Sequence, residues 1–129
     1  MWLWKKQKEQ QKVQTPFGEF VKDKDWNVWK VYVEAGGFET EVIANDVDGQ
    51  PDPHLFHLLP YISENLPYLE AVARQAVSKL SLEHDFYAIT SSGGEEDFSL
   101  AFVYSNESWG ETADVYFKDN AVVDWLTMD

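Results

Sequence analysis

Hydrophobic and polar residues alternate along much of the chain, which is typical of β-strands with one buried face. In the longest run of this kind Trp29, Val31 and Val33 fall on one side. Trp26 and Trp29 fall on opposite sides, so we expect both faces of the sheet to carry aromatic residues, one of them as a binding surface. The alternation predicts three strands before the middle of the chain and four after it, over residues 17–22, 26–35, 38–44, 85–90, 98–104, 112–118 and 121–127.

Between the two groups of strands, apolar residues recur at gaps of three and four, the period of an amphipathic helix. Asp52 followed by Pro53 predicts the start of this helix, because aspartate caps backbone N–H groups and proline fits the first helical position. Pro60 is expected to kink or end the first segment, since proline removes a hydrogen-bond donor. A second segment is predicted to open near Pro67 and to extend to Leu80.

This order of elements predicts an α+β fold. We expect a mainly antiparallel sheet of three strands, a helical segment or pair, and four strands, with the helices packed on one face. The length of 129 residues allows one domain. Residues 1–14 are predicted to form a basic, aromatic N-terminal arm, and residues 15–129 the single domain.

The chain is strongly acidic, with 10 Lys and Arg against 23 Asp and Glu and a formal net charge of −13. Residues 1–12 hold four lysines and one glutamate, a net charge of +3, whereas residues 80–129 hold one lysine and eleven acidic residues, a net charge of −10. Such a surface repels the phosphates of nucleic acids, so the composition argues against a DNA- or RNA-binding protein. A basic protein partner is favoured instead.

No cysteine is present, which excludes disulfides, thiolate metal ligands and cysteine nucleophiles. No apolar run approaches the roughly 18 to 20 residues of a membrane span, and the first residues lack the apolar core of a signal peptide. We therefore expect a cytoplasmic protein. The arm sets Trp2 and Trp4 beside Lys5 and Lys6, which fits either a weak interfacial anchor or tryptophans packed on the domain, so no firm membrane association is expected.

Three candidate metal ligands, Asp52, His54 and His57, lie at the predicted start of the helix. At this spacing their side chains could converge on one face and bind a metal ion or line a pocket. Against this, the capping role explains Asp52 fully, and zinc sites generally draw a further ligand from elsewhere. No metal site is therefore assigned. A ligand-binding or metal-dependent enzymatic domain with a pocket near His54 and His57 is the alternative function.

Other catalytic signatures are missing or broken. No Gly-x-Ser-x-Gly or His-Glu-x-x-His motif occurs. The loop beginning at Asp46 has neither the glycine that a calcium loop needs at its sixth position nor the glutamate that it needs at its twelfth. The loop beginning at Ser91 lacks the lysine of a phosphate loop. The sequence thus favours a protein that is not an enzyme, and it predicts no cofactor.

The strongest functional indication is the mixture of acidic and aromatic residues towards the C-terminus. Carboxylates attract a basic partner, and aromatic side chains supply much of the contact energy in protein interfaces. The best-supported function is a small acidic interaction domain that masks a basic protein. The predicted partner-binding residues are Glu95, Glu96, Asp97, Trp109, Glu111, Asp114 and Trp125.

A resemblance to known proteins lies in the run Thr15-Pro16-Phe17-Gly18-Glu19-Phe20, followed by Trp26-Asn27-Val28-Trp29 and by the helix start at Pro51-Asp52-Pro53. Together these segments resemble a group of small, acidic, uncharacterised bacterial domains, over roughly residues 15–80. Some members of the group resemble immunity proteins, which neutralise secreted toxins. The resemblance implies an immunity-like protein whose basic partner is a toxin such as a nuclease. The shared motifs are structural, so no site residues carry over.

Overall fold

The computed structural model describes residues 11–35, 38–77, 84–92, 94–104 and 112–128. These residues contain nine strands and one helix. The elements are β1 (Lys12–Thr15), β2 (Gly18–Asp23), β3 (Val28–Ala35), β4 (Phe38–Val47), β5 (Gln50–Pro51), α1 (Pro53–Ala76), β6 (His84–Thr90), β7 (Phe98–Tyr104), β8 (Thr112–Lys118) and β9 (Ala121–Met128). Each of the seven predicted strands is found, with both ends within three residues of the predicted ones.

The strands form one mixed sheet in the order β1–β2–β3–β4–β6–β7–β8–β9, with the short β5 paired to β4. Neighbouring strands are antiparallel except β4 and β6, which are parallel, with Val42 opposite Ile89. Parallel neighbours need a long crossover connection, and α1 lies in that connection. The helix contacts β3, β7 and β9 and therefore spans one face of the sheet.

The predicted arrangement of three strands, a helical segment or pair and four strands is wrong. The described residues form a large mixed sheet of nine strands with one helix. Alternation shows which residues share a face, but it does not show which strands become neighbours or in which direction they run. β1 and β5 are additional strands because they pair through their backbones, without a marked alternation of apolar side chains. β1 lies partly within the predicted arm, while residues 1–10 lie outside the described residues.

The helix α1 continues through Pro60 and Pro67, where the sequence predicted a kink or a break. Both prolines are exposed. Packing against the sheet outweighs the local preference of proline, because most helix stability in proteins comes from burial of an apolar face. The predicted start is confirmed, with Asp52 as the cap and Pro53 in the first turn, whereas Leu80 lies outside the described residues. The buried stripe of the helix is Leu55, Leu59, Ile62, Leu66, Leu69 and Ala73.

The core lies between α1 and the sheet. Directly opposed residues on neighbouring strands point to the same face, so one row of the sheet can be followed from strand to strand. The core row consists of Val31, Val42, Ile89, Leu100 and Val115, all of them buried in one cluster with the helix residues. The side chains one position away on each regular strand must therefore point away from α1.

A polar cluster joins the first strands through Asp46. Its carboxylate accepts hydrogen bonds from the Lys22 ammonium and the Trp29 indole N–H, each at 2.8 Å, and from the Gly49 backbone N–H at 3.2 Å. Lys22 also lies over the Trp29 ring, 5.2 Å from its centroid. Because hydrogen bonds from Lys22 and then Trp29 stabilise the charged form, they lower the pKa of Asp46. The cluster thus connects β2, β3 and β4 through side chains.

Candidate functional site

We call the face of the sheet that points away from α1 the distal face. Its central row lies one position from the core row on each strand, and its side chains are directly opposed. Two carboxylates of this row, Glu41 and Asp114, stand on either side of two alanines. From β3 to β9 the row consists of Tyr32, Glu41, Ala88, Ala101, Asp114 and Leu126.

A β-bulge in β6 adds Tyr87 to this face. The register shifts between Phe86 and Ala88, which leaves Tyr87 and Ala88 together opposite Ala101. Strict alternation from the buried Ile89 would have turned Tyr87 towards α1. A bulge changes the direction of a side chain in this way, and bulges are frequent beside functional sites.

Tyr87 stands on β6, between the strands that carry Glu41 and Asp114, and the charges of both carboxylates act on its phenol. Burial raises the pKa of Tyr87, and the negative charges of Asp114 and Glu41 raise it further because a phenolate would be repelled. Ala88 and Ala101 are 0% and 1% exposed although they belong to the distal face, so larger side chains cover them. Tyr87 remains 39% exposed and can contact another molecule.

Asp114 is a half-buried carboxylate without a neutralising partner. Burial raises its pKa, because the charged form loses part of its hydration. Among the described residues, no lysine, arginine or histidine forms an ion pair with Asp114 and no donor hydrogen-bonds to it. Such a group is unfavourable in the isolated protein, and a cation beside it would compensate for the lost hydration.

Two further tyrosines flank the carboxylates. Tyr32 is directly opposite Glu41 and 62% exposed, and the charge of Glu41 raises its pKa. Tyr116 follows Asp114 by two residues on β8 and so shares its face. Burial raises the pKa of Tyr116, and the charge of Asp114 raises it further. We call Tyr32, Glu41, Tyr87, Asp114 and Tyr116 the tyrosine–carboxylate patch.

The distal face also carries lysines: Lys118 is exposed two residues after Tyr116 on β8, whereas Lys12 and Lys30 are paired with acids outside the patch. Lys12 lies 3.5 Å from the Glu19 carboxylate, and Lys30 lies 3.3 Å from that of Asp23. Among the described residues no lysine forms an ion pair with Glu41 or Asp114. Glu41 raises the pKa of Tyr32 although the charge of Lys30 lowers it, so the negative charges dominate at the patch and attract cations.

The predicted partner-binding residues are distributed over several places. Asp114 belongs to the patch, and Glu96 is near enough for its charge to raise the pKa of Tyr116, after burial and Asp114. Glu95 is exposed in the loop between β6 and β7. Trp109 and Glu111 lie outside the described residues.

Two other predicted residues lie away from the patch. The Asp97 carboxylate accepts a hydrogen bond from the Asp119 backbone N–H at 3.0 Å and lies 3.3 Å from Nε2 of His54. Asp97 thus links the turn between β8 and β9 to the start of α1. Trp125 is opposite the core residue Val115, so it lies on the side of the sheet that carries α1. The structure therefore does not bring Trp125 together with Asp114.

Four residues of the patch were not identified from the sequence. Alternation along the predicted strands places Tyr32 on the same side as Trp26, and Tyr116 on the same side as Asp114, but neither tyrosine was assigned to the binding site. Tyr32 does lie on the second face of the sheet, whereas Trp26 lies in the turn before β3. The direction of the Tyr87 side chain depends on the bulge, and the alignment of Glu41 with Asp114 depends on the pairing of β4 with β6. Neither can be read from alternation within one strand.

The candidate ligands His54 and His57 do not converge. His54 points to the carboxylate of Asp97, whereas His57 lines a separate groove of about 550 Å³ beside Phe56. Both oxygens of the Asp52 carboxylate accept hydrogen bonds at 3.0 Å, from the His54 backbone N–H and the Ser91 hydroxyl. Within the described ranges no group of three His, Asp or Glu side chains is arranged to hold a metal ion.

No helix in the described part of the chain is long and apolar enough to cross a membrane. Comparisons with protein-family models, with curated proteins and with solved structures find no match. The resemblance to small acidic bacterial domains therefore stays a prediction. Any assignment of function rests on the chemistry of the patch.

Proposed function

We propose that the chain is a small cytoplasmic protein-interaction domain that binds a basic protein partner through the tyrosine–carboxylate patch. The observation that carries this proposal is the Asp114 carboxylate, which is half-buried and has no counter-ion among the described residues. It also lies within electrostatic range of two tyrosines, Tyr87 and Tyr116. A lysine or arginine of a partner would neutralise this carboxylate and contact the rings beside it.

The tyrosines supply the contact area that such an interaction needs. Tyrosine offers a large, rigid surface with a polar end and is enriched among the residues that dominate interface energies. A cation beside Asp114 can interact with the face of an adjoining ring as well as with the carboxylate. Loss of a charge-assisted contact of this kind lowers affinity by about 10- to 100-fold.

The overall charge adds long-range attraction. A net charge of −13 steers a basic protein towards the chain and increases the rate of encounter. The resemblance over residues 15–80 favours an immunity-like form of the proposal, in which the patch masks the basic surface of a toxin. A nuclease needs positive charge to hold its phosphate backbone, so carboxylates laid over that surface would exclude its substrate.

The test measures binding of the whole chain to a synthetic peptide with four arginines. The control is a peptide of equal length in which glutamine replaces each arginine. NMR titration should show amide shifts on β6 and β8 and weaker binding when salt is raised from about 0.05 M to about 0.5 M. Asp114→Asn should weaken binding by about 10-fold or more. Glu64→Gln on the exposed side of α1 removes the same formal charge and should change the Kd by less than about twofold.

Three results would overturn the proposal: equal weakening by the two variants, binding that ignores salt, or amide shifts confined to α1. If the peptide binds as expected, the natural partner can be sought by pull-down from the cells that make the protein. A retained basic protein qualifies only if its retention falls at high salt and with Asp114→Asn.

A further inference from the structure

The two carboxylates of the patch are aligned but far apart. Glu41 lies on β4 and Asp114 on β8, in one row with β6 and β7 between them. Neighbouring strands are about 4.8 Å apart, so the two backbone positions are separated by about 14 Å. This separation favours one cation for each carboxylate over a single cation shared by both.

The patch has two similar halves. Tyr32 is opposite Glu41 in one half, and Tyr116 is two residues from Asp114 in the other. The row positions between the halves are alanines, so no charged side chain of the row separates them. Tyr87, which feels the charge of both carboxylates, stands between the halves. Each half therefore offers a carboxylate with an aromatic ring beside it.

The spacing of the halves selects the conformation of a partner that follows the row. In an extended chain, residues i and i+4 lie on one side and are about 13.6 Å apart, which matches the separation of the carboxylates. In an α-helix, the residues nearest to one side are i+7, at about 10.5 Å, and i+11, at about 16.5 Å. Neither helical spacing matches as well, so an extended segment fits the row better.

We propose that the patch recognises an extended segment of the basic partner that crosses the strands and places arginines i and i+4 on Glu41 and Asp114. This inference rests on the proposed function and adds the partner's geometry to it. Arginine fits better than lysine, because its planar guanidinium pairs with a carboxylate through two hydrogen bonds and stacks on an aromatic ring. A lysine ammonium supplies charge without that planar surface.

The experiment compares three short peptides of equal length, composition and charge. Each contains two arginines, which are two residues apart in the first peptide, four in the second and six in the third. The Kd of each peptide for the whole chain is measured by NMR titration. The peptide with arginines four residues apart should bind about 10-fold more tightly than the other two, because only this peptide reaches both carboxylates at once. Lysine at both positions should weaken this binding.

Variants of the chain assign the effect to the row. Glu41→Gln and Asp114→Asn preserve side-chain shape, so each should leave the fold intact. Each removes one of the two negative charges, so each should abolish the advantage of the peptide with arginines four residues apart. Glu64→Gln on α1 should retain it. Circular dichroism and the amide spectrum of each variant provide the check of folding.

The outcomes separate this inference from the proposed function. Equal, salt-sensitive binding of all three peptides, lost in Asp114→Asn, would overturn the two-point geometry but support a basic partner at the patch. Absence of binding by any arginine peptide would overturn both. A dimer of the chain whose interface maps to the patch would also overturn the inference, because a second copy would then be the occupant.

Discussion

Replacement of Pro67 by alanine should stabilise the protein, although Pro67 lies well inside α1. Proline has no N–H, so the Ser63 carbonyl lacks its usual helical donor at position 67, and the ring crowds that carbonyl. The Pro67 side chain is exposed, so its removal opens no cavity in the core. The helix retains its buried stripe, and the change acts on the backbone alone.

The expected magnitude follows from the position of Pro67 in the helix interior. Proline there is about 3 kcal/mol less favourable than alanine. Alanine also makes the unfolded chain more flexible, which offsets about 0.4–1 kcal/mol of this difference. Helices commonly bend slightly around an internal proline, which relieves part of this cost, so the expected net gain in the free energy of unfolding is about 1–2 kcal/mol. For a domain of this length the melting temperature should rise by about 4–8 °C.

Urea unfolding followed by tryptophan fluorescence measures this gain, which should appear as a higher midpoint with an unchanged slope. Pro53→Ala is the matched control, since Pro53 opens the helix, where the missing N–H has no intrahelical partner in any case. Its expected effect is a change of no more than about 0.5 kcal/mol, in the destabilising direction. Peptide binding should be unaffected by either variant, because α1 and the patch lie on opposite faces of the sheet.

A lower midpoint for Pro67→Ala would refute the argument that tertiary packing holds α1 together against its prolines. An equal rise for Pro53→Ala would also refute it, because the gain would then not depend on a position in the helix interior.

Two aspartates should affect the pH dependence of stability in opposite directions. Lys22 and Trp29 lower the pKa of Asp46, so its stabilising effect is present above the ordinary pKa of 3.8 and lost as pH falls through the folded-state value. Asp46→Asn should be less stable than the wild type at neutral pH, with a difference that shrinks in acid. Burial raises the pKa of Asp114 above 3.8, so stability is greatest below 3.8 and falls as pH rises through the folded-state value. Asp114→Asn should therefore be more stable than the wild type at neutral pH, although it binds the peptide more weakly. Urea midpoints from acid to neutral pH test both expectations, and profiles parallel to that of the wild type would contradict them.

Much of the secondary structure could be predicted because it depends on neighbours in sequence. The alternation around Trp29 and Val31 identified β3, and Asp52 with Pro53 marked the first turn of α1. The continuity of α1 could not be predicted, because Pro60 and Pro67 oppose it locally. Contacts with distant strands decide in favour of the helix.

The candidate site was predictable only in part. The acidic charge and Asp114 were apparent from the sequence, but Trp125 was assigned to the same site and lies on the other side of the sheet. Alternation places neighbours within one strand, so it relates Tyr116 to Asp114. It cannot relate Asp114 to Glu41, which is 73 residues earlier in the chain.

Local composition and periodicity established the strands, the beginning of the helix and the acidity of the surface, because each depends on residues a few positions apart. The parallel pairing of β4 with β6 and the bulge at Tyr87 depend on the whole sheet. Backbone hydrogen bonds between distant segments set the register, and register determines which carboxylates share a row. The tyrosine–carboxylate patch is therefore a property of the assembled sheet, formed from residues that no local pattern connects.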